Sequence, residues 1–152
     1  MKLAQALSER ADLKERLSVM SERLKTNAKV QEGDTPAEDP AALIEELDLM
    51  LERYEYLVRQ INLTNTRTLV NGEPLTALLA HRERLTKAIN IYQGFLNSAS
   101  RKIEHYGRSE VRILNTVSVE ELRKKLDQLS REFRECDDRI QELNWTTELI
   151  ES

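Results

Sequence analysis

Apolar residues recur every three or four positions through four long stretches of this chain, with charged residues between them. The first stretch aligns Leu3, Ala6, Arg10, Leu13, Leu17, Met20, Leu24 and Asn27, a heptad seam that predicts a helix over residues 2–30. Arg10 inside the seam and Asn27 at its end are polar, and in a coiled coil such residues set register more often than they bind a ligand. Gly33, Pro36 and Pro40 punctuate EGDTPAEDP at 32–40. Asp39 then offers an N-cap, with Pro40 at the first helical position, where a missing N–H costs nothing. In the second helix Ile44, Leu47, Leu51, Tyr54, Val58 and Ile61 keep register, and Leu43, Met50 and Leu57 add a third row. Three rows are too wide for a two-stranded coil, so this helix is expected to touch at least two others. The next core position in that register is Asn65.

Asn71-Gly72 is a two-residue turn signal. A third helix begins near Pro74 or Thr76 and carries Leu75, Leu78, Arg82, Leu85, Ile89, Tyr92, Leu96 and Ala99, fraying before Gly107. Val111, Ile113 and Val117 alternate with Arg112, Leu114 and Thr116, a short strand signal whose plausible partner is Thr66 to Val70. Ser118 and Glu121 form a capping box. Behind it Val119, Leu122, Leu126, Leu129, Phe133, Cys136, Ile140 and Leu143 make the cleanest seam in the chain. The expected fold is all-α: one domain over residues 1–152, an antiparallel bundle of four long, coiled-coil-like helices. A small irregular or two-stranded β insert is expected around residues 66–72 and 109–116.

Composition narrows the function classes. Charged residues are 33% and aromatics 5%, with four Gly and three Pro, which suits long helices and poorly suits a turn-rich sandwich or barrel. A net charge of −4 supplies no general pull toward nucleic acid or an anionic membrane. The single cysteine, Cys136, excludes an intramolecular disulfide and fits a reducing compartment. With no apolar run of signal-peptide or membrane-span length, a cytoplasmic protein is expected.

Motif chemistry is sparse. His81 and His105 lie in no metal-binding spacing, and no phosphate loop or nucleophile elbow occurs, so neither metal nor cofactor is expected. The sharpest candidate is NLTNTRT at 62–68, where a dense row of hydrogen-bonding side chains begins as the seam reaches Asn65. One reading is structural, with Asn62, Thr64 and Asn65 satisfying helix-end carbonyls and cross-linking the turn. The other is a polar pocket in which Asn62, Asn65 and Arg67 converge with Arg82 or Arg84 of the third helix on a small anionic ligand. Arg101, Lys102, His105, Arg108 and Arg112 add a local basic patch, which as a helix end would complement the helix dipole and could otherwise contribute to such a site.

MKLAQALSERADLK at the start, RQINLTNTRT with NGEPLTALLAHRERL in the middle and ELNWTTEL at the end resemble a bacterial family of uncharacterised helical proteins, some labelled septicolysin. The resemblance spans nearly the whole chain and implies that the NLTNT row, the NGEPLT turn and the NWTTEL tail are family features. It implies no established biochemical activity, although the septicolysin label denotes a pore-forming toxin.

The seams outweigh any catalytic constellation, so the expected function is that of a non-enzymatic helical scaffold or protein-interaction module. Self-association is the expected contact, most simply a twofold dimer, with other proteins as further partners. Trp145 and Leu149, apolar and near the C-terminus, are the candidate interface residues.

Overall fold

The computed structural model describes residues 1–101 and 111–152. Among these, 74% lie in helices, far above the third found in ordinary globular chains, so the fold is all-α. The helices are α1 (Leu3–Thr26), α2 (Pro40–Arg67), α3 (Leu75–Ser100) and α4 (Val119–Thr146), with strands β1 (Leu69–Val70) and β2 (Glu73–Pro74) between α2 and α3. No described helix is long and apolar enough to cross a membrane.

The helix ends follow local chemistry. At the start of α1 the Lys2 N–H donates to the Gln5 side chain at 2.7 Å. At its end the Asn27 amide donates to the Arg23 carbonyl, while its oxygen accepts from the Glu38 N–H, so Asn27 pins the following loop to the helix. Asp39 caps α2 by accepting from the Ala41 N–H, with Pro40 as the first helical residue. Ser118 caps α4 through its hydroxyl, which accepts from the Glu121 N–H at 3.2 Å.

The β insert differs from expectation in its pairing. Leu69 and Val70 pair antiparallel with Pro74 and Glu73, and Val111 to Asn115 form no strand; residues 109 and 110 lie outside the described residues. Asn71 and Gly72 both hold positive φ, 52° and 84°, the conformation a tight hairpin turn needs. Closing two residues costs far less chain entropy than closing the intervening 40.

Residues 1–75 with 141–152 make one compact unit and residues 76–140 a second. In the first, α1 packs antiparallel on α2. Ala6, Leu13, Met20 and Asn27 are buried along α1, and Leu43, Met50, Leu57 and Thr64 along α2, each set spaced by seven. The buried row of α2 is therefore the one expected as the third. Ile44 and Leu51 of the expected principal row stand 50% and 45% exposed. In the second unit Leu85, Leu129, Cys136 and Ile140 form the core, wrapped by Leu78, Ala88, Ile89, Tyr92 and Phe133.

Candidate functional site

The polar row 62–68 is the last turn and a half of α2 rather than a loop. Helical periodicity therefore divides it. Asn62 and Arg67 point outward and are exposed, Asn65 is half-buried, and Thr64 is fully buried. The seam continues at Thr64, seven residues after Leu57, and not at Asn65.

Thr64 and Gln60 hold the C-terminal segment. The Thr64 hydroxyl donates to the Gln60 carbonyl at 2.7 Å and accepts from the Ile150 N–H at 2.9 Å. The Gln60 amide donates to the Ile150 carbonyl. A buried hydroxyl with both functions satisfied and a tail residue bonded on both backbone faces make a closed clamp. The N-terminus completes it. The Leu3 N–H donates to the Thr147 carbonyl at 2.9 Å and the Leu149 N–H to the Met1 carbonyl at 2.8 Å, a one-residue antiparallel bridge of Lys2 with Glu148. The Lys2 ammonium beside Glu148 holds that carboxyl below its ordinary value.

Two turns before Gln60 on α2, the Arg53 guanidinium donates two hydrogen bonds to Glu9 of α1, at 2.7 and 2.9 Å. This fork lowers the Glu9 pKa and raises that of Arg53. Arg53 also lies 5.2 Å from the Tyr56 ring centre, and the Tyr56 hydroxyl donates to the Glu151 carbonyl at 3.4 Å. The start MKLAQ, the row RQINLTNT and the tail NWTTEL thus meet in one network. Thr64 does what the structural reading of the row expected of it, bonding a helix-end carbonyl, while Gln60 is the residue that the sequence did not single out. The available signal for the burial of Thr64 was that it extends the row Leu43, Met50, Leu57.

The remaining candidates fall elsewhere. Arg82, in the second unit, donates to Asp137 at 2.8 Å, so its charge is already partnered. Arg112 is exposed, and Arg108, Lys102 and His105 lie outside the described residues. Leu149 is buried, whereas Trp145 remains 63% exposed. Trp145 rims an open hollow of about 540 Å³ whose other walls are Ala4, Gln5, Ser8, Glu9 and Asp12 of α1.

A second hollow of about 290 Å³ lies between α3 and α4. Ile89 and Phe133 give it apolar walls, and Thr86, Asn90, Ser130 and Arg134 polar ones. Cys136 is buried, its thiol donating to the Leu78 carbonyl at 3.6 Å, and burial pushes its pKa up. That shift opposes a nucleophilic thiolate. Among the described residues no group of three or more His, Cys, Asp or Glu side chains is placed to hold a metal ion.

A family model described as a family of unknown function, DUF6847, matches residues 10–149. Among solved structures, the chain is similar to one described as a functionally unknown conserved protein from Corynebacterium diphtheriae. That protein is 39% identical, with a TM-score of 0.92 over 99% of each chain. No curated protein matches. Neither description names an activity.

Proposed function

Because this chain belongs to DUF6847, a family of unknown function, we propose that it is a non-enzymatic helical scaffold that acts through contacts with other protein chains, a second copy of itself first among them. One observation carries this reading. The polar groups of the 60–68 segment that are buried are consumed in holding the chain's own ends, while Trp145, Ile44 and Leu51 stand in solvent. Polar residues that support a frame and apolar ones left on its outside suit a frame that docks.

A thermal-shift screen against nucleotides, sugar phosphates and metals tests it. No stabilisation is expected. A ligand at a hundred times its dissociation constant would add about 2.7 kcal/mol, and a hit abolished by Asn65→Ala with Arg67→Ala would replace the scaffold by the anion pocket.

A second reading is favoured by the hollow between α3 and α4. Its apolar walls and the Arg134 guanidinium suit a small amphipathic anion such as an aryl carboxylate. A shift with benzoate-type carboxylates that Arg134→Ala removes would support it.

A further inference from the structure

Around the α1–α2 seam the two flanks are built differently. On one, Glu9, Arg16 and Arg23 of α1 stand beside Glu46, Arg53 and Gln60 of α2. Ion pairs seal that flank: Glu9 with Arg53 at 2.7 Å and Arg23 with Glu46 at 3.9 Å. On the other, the row seven apart on α2 is Ile44, Leu51 and Val58, and the matching row on α1 is Leu7, Lys14 and Ser21. Among the described residues no ion pair closes this side. Ile44 and Leu51 are about half exposed, although each lies one residue from a buried seam position. A row of β- and γ-branched side chains at heptad spacing beside a seam is the flank that a further pair of helices covers in a four-stranded coil.

We propose that a second copy of this chain covers the flank, through a twofold axis running along the hairpin. The proposal rests on the interaction reading and names the surface through which the copies meet. The charges select that axis. Asp48 and Glu55 border the α2 row, whereas Lys14 sits within the α1 row, and none of the three makes an ion pair with another described residue. Stacking α2 on α2 would set Asp48 and Glu55 against their own copies. Stacking α2 on the partner's α1 places an ammonium between two carboxylates, twice.

The heights agree. The Glu9–Arg53 and Arg23–Glu46 pairs lean in opposite senses along the antiparallel hairpin, and midway between them Lys14 stands level with Leu51. Its aliphatic stem then covers the leucine while its head reaches the acids. Leu7 falls level with Val58, and Ser21 with Ile44. Two helices about 36 Å long and together about 20 Å wide offer roughly 700 Å² per copy, close to the ~800 Å² per partner of a stable interface.

Light scattering on the full chain tests this, read with circular dichroism as a folding control. The wild-type mass is expected at twice 17.7 kDa. Leu51→Glu should give a folded monomer. Lys14→Glu, an exposed charge reversal that leaves the fold alone, should weaken dimerisation by about tenfold or more. Adding Asp48→Lys and Glu55→Lys to Lys14→Glu should restore the dimer. The emission of Trp145, the chain's only tryptophan, should not change with concentration, since it lies off this flank. A monomeric wild-type chain overturns the inference, and the scaffold reading is then judged separately by the ligand screen. A dimer that survives both Leu51→Glu and Lys14→Glu but falls apart in Trp145→Ala also overturns it, while upholding self-association.

Discussion

Thr64 and Ile150 stand 86 residues apart in sequence and are joined by a 2.9 Å hydrogen bond from the Ile150 N–H to the Thr64 hydroxyl. The bond is sealed from water, because Thr64 is fully buried. It ties the end of the chain to the last turns of α2.

Thr64→Val keeps the volume and removes the acceptor. The Ile150 N–H is left without its partner, at a cost of about 1–3 kcal/mol. Urea unfolding at neutral pH should show that loss, and hydrogen exchange should show the Ile150 amide losing protection before the α1–α2 seam does. A Thr64→Val protein as stable as wild type would mean that the clamp contributes little.

Leu149→Ala tests the burial that accompanies the clamp. The side chain is 5% exposed, so truncation should cost about 2–5 kcal/mol, mostly as lost transfer and cavity energy. Trp145→Ala, at 63% exposed, should move the unfolding midpoint little. The two thermal melts side by side separate a residue that holds the fold from one that faces outward.

Acid stability follows from three carboxylates. Glu9, Glu38 and Glu148 are held below the ordinary value of 4.5 by hydrogen bonds from Arg53, Arg23 and Lys2. A folded-state pKa below the unfolded one means that the stabilisation is present above about 4.5 and is lost as pH falls through the depressed values. Unfolding free energy should therefore decline below about pH 4.5. In Glu9→Gln the decline should be shallower, the two curves converging at low pH. Added salt should shrink the difference, since each pair is partly solvated.

Cys136 should be inert in the folded protein. Its thiol is buried and its pKa raised by desolvation, so little thiolate exists near neutrality. Modification by a chromogenic disulfide reagent should be slow in buffer and should accelerate along the unfolding curve as denaturant is added. Rapid reaction in buffer would show that α3 and α4 part readily around it.

Much of the architecture was legible in local chemistry. Asp39 with Pro40, Ser118 before α4 and the Asn71-Gly72 turn each act within a few residues of themselves, so their neighbours suffice to read them. The candidate site was legible only in place. The row at 62–68 does sit where the C-terminal segment is held, and the side chains that hold it are Gln60 and Thr64. Asn62 and Arg67 stand in solvent, because a helix turns successive side chains through 100° and so separates neighbours that look like one cluster in sequence.

Heptad spacing alone specified that α1 to α4 are helices and that α2 carries an apolar stripe three rows wide. It left open which rows are covered, since a stripe wider than one contact can be rolled onto a partner from either edge. Packing on α1 resolved this in favour of Leu43, Met50, Leu57 and Thr64, with the Glu9–Arg53 and Arg23–Glu46 pairs holding the roll angle. The tail is the same kind of case. Nothing within a few residues of Leu149 says what buries it, because its partners, Met1 by hydrogen bond and the Gln60–Thr64 turn beside Ile150, lie far away in sequence and meet only once the helices have packed.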